Sequence, residues 1–243
     1  MQVIYGHRGA SGYAQENTLE AFEMAAKMGA AGVELDVHIA KDGELVVAHD
    51  ERIDRVANGT GLIAEMTTAE LKKLKFNRTH PEYENATLPT LREVYELLKP
   101  YGLKINAELK NSVIDYPHLE EKCIKLADEL GMTDSVLYSS FNHYSMLRVK
   151  QIDPKLPVGL LYEATLVNSW DYGHALGADA IHPHFTELQV PGEVEKAHAL
   201  GMAVNVWTVN EEADLRFAIN AGADIIISNY PDRALKVLKE LKG

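Results

Sequence analysis

GVELDVHIAKDGELVVAHD, residues 32–50, contains two strand-like runs joined by Lys41-Asp42-Gly43. Asp-Gly is the strongest short-range hairpin signal, so the run over 32–39 is expected to turn back into one over 44–48. Glu34 and Asp36 stand two residues apart, which puts both carboxylates on one face of a strand. The second run ends in His49-Asp50. The same design recurs on either side: VIYG (3–6) runs into His7-Arg8, and KINA (104–107) runs into Glu108-Leu109-Lys110. Apolar runs that end in charged groups at one level, strand after strand, are how a (β/α)8 (TIM) barrel builds a site on its C-terminal face.

Beyond these motifs the chain alternates short β-rich runs with amphipathic helical stretches that stop at glycine. Strands are expected over 3–6, 32–39, 103–109, 135–139, 157–161, 180–182, 203–209 and 225–228. Helices are expected over 18–28, 89–98, 118–130, 143–152, 169–176, 193–200, 211–221 and 232–241. The tags MGA (28–30), LGA (176–178), LGM (200–202) and AGA (221–223) recur where a helix hands over to the next strand, a weak internal repeat of the βα unit. Eight units close a barrel, whereas a doubly wound sheet more often stops at five to seven strands. Residues 1–243 are therefore expected to be one barrel domain, with 44–48 as an extra strand beside its mouth. Between 51 and 86 the apolar periodicity weakens. Asn58-Gly59-Thr60-Gly61 gives a loop and Thr67 to Glu70 a helix-capping pattern, which suggests a small insertion rather than a linker.

Composition narrows the function. A chain of 243 residues with 46% hydrophobic content can bury one large core. A formal charge of -12 argues against nucleic-acid or anionic-membrane surfaces, which need clustered Lys and Arg. No run approaches the roughly 18 apolar residues of a membrane span, and the single cysteine, Cys123, sits at helical spacing on an apolar face and is expected to be inert core. A cytoplasmic protein without stable membrane insertion is the expectation.

The polar residues carry the chemistry. Two inward carboxylates repel unless a cation or proton is shared between them, and Glu108 on the next barrel strand can complete a three-carboxylate set. Hard oxygen ligands suit Mg²⁺ or Ca²⁺ rather than zinc, with ion pairs to Arg8 or Lys110 as the plainer alternative. His7 and His49 flank the acids and titrate near neutrality, as an acid/base pair must. His80, His118, His143, His174 and His198 read as solvated, and His182 and His184 as packed or mouth-lining. Arg8 offers a planar guanidinium for phosphate, and Lys110 adds a point charge on the inward face of Glu108. A Schiff-base role for Lys110 needs a depressed pKa, which neighbouring carboxylates oppose. Glu16 of Glu16-Asn17-Thr18 faces the same end of the first strand, with Thr18 as the helix cap. Phe141 and Trp207 follow strands and are candidates for an apolar wall for the substrate.

HRGASGYAQENTLEAF (7–22), ELD (34–36), HD (49–50), EMTTAELKKL (65–74), AELK (107–110), SSF (139–141), NVWTVN (205–210) and ADIIISNYPD (223–232) together resemble the glycerophosphodiester phosphodiesterases over essentially the whole chain. The resemblance implies that His7 and His49 are the general acid/base pair, that Arg8 and Lys110 hold phosphate, and that Glu34, Asp36 and Glu108 bind the metal. It implies hydrolysis of a small glycerophosphodiester to sn-glycerol 3-phosphate and an alcohol. Asn229 departs from the pattern, since many members carry an acidic residue there; only the lining of that corner is expected to change. Two rivals share the fold. A lipid-cleaving barrel would want an apolar rim or a basic membrane face, neither of which the composition suggests, and an aldolase-like barrel would use Lys110 covalently.

Overall fold

A computed structural model describes residues 2–243. Strands β1 (Val3–His7), β2 (Gly32–Ile39), β3 (Leu45–Val47), β4 (Lys104–Leu109), β5 (Val136–Ser140), β6 (Val158–Tyr162), β7 (Ala180–Pro183), β8 (Ala203–Val206) and β9 (Ile225–Ser228) form one sheet. Each ring strand runs parallel to its neighbour, and the ring closes because β1 pairs with both β9 and β2. The ninth strand, β3, lies outside the ring, antiparallel to β2 with Val37 opposite Val47, as the Asp-Gly turn predicts. Parallel barrel strands are covered on both faces, and all eight residues of β2 are buried.

Helices α1 (Leu19–Lys27), α2 (Thr68–Leu71), α3 (Leu91–Leu98), α4 (Leu119–Glu129), α5 (His143–Ile152), α6 (Ser169–Ala175), α7 (Glu193–Ala199), α8 (Glu212–Ala221) and α9 (Pro231–Lys242) surround the ring or lie in the segment after β3. Thr18 caps α1 by accepting the Ala21 N–H, while Thr67 with Glu70 and Thr90 with Glu93 form full capping boxes on α2 and α3. Each cap satisfies N–H groups that the helix itself leaves unpaired. Cys123 is buried on α4 beside Leu119 and Leu126, and burial pushes its thiol well above the usual range, so it is inert.

Residues 51–86 pack around their own apolar cluster. Ile53, Ile63, Leu71 and Phe76 meet Val46 and Ala48 from the β3 hairpin, which ties the segment to the mouth of the barrel. One strand is shorter than its sequence suggests. The run over 203–209 is a regular strand only to Val206; beyond it Trp207 keeps an isolated bridge to His184, its indole donates to the His182 carbonyl at 2.9 Å, and the Val209 N–H pairs with Ile227 O at 3.0 Å. The chain therefore crosses the rim at Trp207 and leaves that ring at the mouth.

Candidate active site

Strand register assembles the centre. β1 against β2 sets His7 opposite Glu34, and β2 against β4 sets Glu34 opposite Asn106 and Asp36 opposite Glu108. The three carboxylates thereby converge, each offering an oxygen within 4.8 Å of the others. All three are buried.

Past β1 the chain turns sharply. Arg8 adopts φ 53, a left-handed conformation that costs a non-glycine residue roughly 1 kcal/mol or more, and Asn17 does the same at φ 57. The Arg8 N–H donates to Glu34 Oε2 at 3.0 Å, and its carbonyl accepts from the Asn17 N–H at 3.0 Å. Gly9 follows at φ 82, and a Cβ there would lie 2.5 Å from the Ala21 backbone, so only glycine lets this loop press against α1. The result brings the Arg8 guanidinium back over the carboxylates, with Nε 3.4 Å from Asp36.

Charge in this cluster does not balance. Burial acts to raise all three carboxyl groups. For Asp36 it is outweighed by Lys110 and Arg8, which hold the group well below the usual carboxylate range. Glu34 is pushed well above it by burial and by the neighbouring Asp36, and Glu108 is raised for the same two reasons. Lys110 sits 2.9 Å from Glu108 and 3.7 Å from Asp36. Burial alone would lower its pKa, but the two carboxylates raise it, which keeps the amine protonated and removes the basis for a Schiff-base role. The ion pairs expected as the plainer alternative are thus present, yet they do not suffice: three acids face two cations. Asp36 Oδ1 is a buried acceptor without a hydrogen-bond partner. A hard all-oxygen donor set with one surplus negative charge fits a divalent cation.

The two histidines are held differently. His7 donates its Nδ1–H to Asn229 Oδ1 at 2.6 Å, and Asn229 is itself fixed by its N–H to Asn210 Oδ1 at 2.9 Å. Burial, reinforced by the Arg8 charge, pushes His7 down to about 3, so its ring is neutral with Nε2 unprotonated and only the Thr208 hydroxyl, at 3.5 Å, beside it. His49 donates Nδ1–H to the Asp50 carboxylate at 2.6 Å, and its carbonyl accepts from His38 Nε2 at 3.2 Å. Asp50 accepts in turn from Arg55 Nε at 2.7 Å, and Arg55 grips both oxygens of Glu16 at 2.6 and 2.7 Å. Glu16 completes the chain by accepting from Arg8 Nη1 at 3.0 Å.

His7, Arg8, Glu34, His49, Glu108, Phe141 and Trp207 line one cavity. The Phe141 and Trp207 rings meet edge to face, 5.6 Å between centroids, as one wall. Glu16 corrects the expectation that placed it against the ligand, because both of its oxygens are occupied by arginines and it lies behind Arg8. His143 corrects the solvated reading: Nδ1 meets the Tyr172 hydroxyl at 2.9 Å and Nε2 the Leu161 carbonyl at 2.8 Å. His182 is wholly buried against Asn205. Sequence reasoning singled out Asp50 as the neighbour of His49 but missed Asn17, His38 and Arg55 as supporting residues and undervalued Asn229. His38 had a signal, standing two residues past Asp36 on the same strand face; Arg55, from the irregular segment, had none.

This architecture defines a class, the (β/α)8-barrel hydrolases with the catalytic centre on the C-terminal face. Residues 7–233 match the glycerophosphoryl diester phosphodiesterase family, and the chain belongs to it. It is 38% identical to a glycerophosphodiester phosphodiesterase of Caldanaerobacter subterraneus subsp. tengcongensis, covering 98% of each chain, and 37% identical to one of Bacillus altitudinis over the full length of both. Among solved structures it superimposes with a TM-score of 0.86 and 32% identity on an Oleispira antarctica phosphodiesterase in complex with the product sn-glycerol-3-phosphate, covering 98% of this chain and 97% of that one. Among the described residues no helix is long and apolar enough to cross a membrane.

Proposed function

We propose that the protein hydrolyses small glycerophosphodiesters to sn-glycerol 3-phosphate and an alcohol, with a divalent cation, Mg²⁺ or Ca²⁺, held by Glu34, Asp36 and Glu108. The observation that carries this reading is the convergence of His7, His49, Arg8, Glu34 and Glu108 on a single cavity, with Asp36 clustered beside the two glutamates. When bound, the cation neutralises charge that builds on the phosphoryl oxygens.

The chain's own residues supply the rest. Arg8 presents its guanidinium at the cavity and, with Lys110, holds the phosphate, opposing negative charge that grows in the transition state. His7, neutral with Nε2 unprotonated, takes the proton of the attacking hydroxyl. Burial and the Arg8 charge keep it neutral, and its Nδ1 partner, Asn229, is an amide that brings no compensating negative charge. His49 gives a proton to the departing alcohol oxygen. Asp50 accepts the Nδ1–H of that ring and so orients Nε2 toward the departing oxygen. Arg55 orients that carboxylate and, through Glu16, also orients Arg8. We read residues 51–86 as a small subdomain whose role includes this contact. The expected compartment is the cytoplasm, where the unpaired Cys123 stays reduced, and the expected setting is lipid and glycerol metabolism.

A coupled assay for glycerol 3-phosphate release on a panel of glycerophosphodiesters tests the reading. Release that stops with chelator is expected; no release from any diester with Mg²⁺, Ca²⁺ or Mn²⁺ present would overturn it.

A further inference from the structure

The cavity over the carboxylates is small, with about 40 Å³ of free space, enough for little beyond a cation and phosphoryl oxygens. Beside it opens a groove of about 540 Å³ that shares two walls with it, Phe141 and Leu161. The groove runs between the loop after β5 and the loop after β6. Its other walls include Leu166, Val167, Ala164 and Tyr172. Val167 is 92% exposed, Tyr172 44% and Phe141 40%, an apolar surface open to solvent although Phe141 rests on Trp207 and the Tyr172 hydroxyl on His143. This rim corrects the expectation, drawn from composition, that the mouth has no exposed apolar edge. A diester's two arms leave phosphorus in different directions, so an arm that does not fit the small cavity must lie along a surface continuous with it. Glycerol, with two hydroxyls to satisfy, is poorly suited to aliphatic walls.

We propose that this groove is the leaving-alcohol subsite and that it takes an unbranched hydrocarbon chain, which makes glycerophosphodiesters of long-chain alcohols or acylglycerols substrates. The inference rests on the proposed hydrolysis. A hydroxyl of water adds to phosphorus, the bond from phosphorus to the alcohol oxygen breaks, and the alcohol departs with the proton it receives. A quaternary ammonium is the competing occupant, but it prefers a cage of aromatic faces. Here the Phe141 ring is already turned edge to face with Trp207 and the Tyr162 ring is buried; Leu161, Ala164, Leu166 and Val167 give the wall an aliphatic stretch, and the Glu163 carboxylate is the one group on it that would favour a cation.

The experiment measures kcat/KM for glycerophospho-n-alkanols from ethyl to octyl, below micelle-forming concentrations, with glycerophosphocholine alongside. A fully buried methylene gives about a fourfold gain; in this open groove about twofold per methylene is expected, levelling when the groove is filled. Val167→Asp combined with Tyr172→Ser should flatten the octyl-to-ethyl ratio, and because it is a ratio within one protein, a general loss of folding cancels. A flat series in the wild type, while glycerophosphocholine is still cleaved, overturns this proposal alone. A slope that survives the double substitution, or a preference for choline over every alkyl chain that Tyr172→Ser abolishes, overturns it as well. No cleavage of any diester overturns the hydrolysis reading and this one with it.

Discussion

The mouth of this barrel has two unlike halves. On the β1, β2 and β4 side, side chains are charged and linked in one chain of contacts from half-buried His49 and Asp50 through exposed Arg55 to half-buried Glu16 and Arg8. On the β5 to β8 side the same structural level carries Phe141, Leu161 and Trp207. Both halves hold a histidine that burial keeps neutral, yet His7 faces the cavity while His182 is packed inside the barrel at 0% exposure. Charge is concentrated where bonds are to break, and the apolar half offers shape. The difference teaches that the halves should fail differently when altered.

The largest effect is expected from the charged half. Chelation should abolish turnover, and Mg²⁺, Ca²⁺ or Mn²⁺ should restore it, since three hard carboxylates have no soft substitute among their neighbours. Glu34→Gln and Asp36→Asn should each weaken metal binding in a direct titration. Wild-type affinity in both variants, or full activity after dialysis against EDTA, would make the carboxylate cluster purely structural.

Next come the histidines. His7→Ala and His49→Ala should each lower kcat by roughly 100-fold to 10,000-fold, with the double variant losing less than the product because the two act as a unit. A p-nitrophenyl diester needs almost no protonation of its leaving group. His49→Ala should regain most of its rate on that substrate, and His7→Ala should not. Equal impairment of both would remove the division of labour assigned from Asn229 and Asp50.

Arg55→Ala should cost less, about tenfold in kcat/KM, by loosening two groups that it orients without touching the phosphate. Arg55→Lys should recover little, because a point charge cannot span Glu16 and Asp50 as the planar fork does. If Arg55→Ala matched wild type, the ion-pair chain would be ornamental.

The apolar half has its own test in stability. Burial depresses His182 to about 3 from an ordinary 6.5. The unfolded chain therefore binds a proton there that the folded one does not, so this group's contribution is intact above about pH 6.5 and is lost as pH falls toward 3. At pH 5 the deficit is about 2 kcal/mol. Denaturant unfolding of His182→Gln should show a pH slope shallower by about one proton between pH 6 and 4; an unchanged slope would mean that the ring is already charged in the fold. Smallest is the effect on head-group choice. Short-chain and polar glycerophosphodiesters should be cleaved within about tenfold of one another, roughly 1.4 kcal/mol in transition-state binding, because the charged half grips the phosphate common to all of them. A thousandfold preference for one polar head group would place a specific pocket in the half read here as shape alone.

Much of this was legible in the residues. Period-two spacing put Glu34 and Asp36 on one face, the Asp42-Gly43 turn predicted the outer β3, and the strand-helix alternation predicted the ring that β1 closes. Local rules act over a few residues, and these features are local. The partners of the site residues are not. Asn229 lies 222 positions from His7, and Arg55 comes from a segment with no regular periodicity, so nothing in the spacing connects them. His143 read as solvated because its partners, Tyr172 and the Leu161 carbonyl, come from the next βα unit.

The sequence by itself determined which residues bear charge, which strand faces they occupy and how many units close the ring, because each follows from backbone geometry and side-chain alternation. Only the tertiary structure decided which imidazole is backed by an amide and which by a carboxylate, that Glu16 stands behind Arg8, and that an apolar groove opens beside the small cavity. Those outcomes depend on contacts between strands and loops distant in the chain, and closure of the barrel is what brings them together.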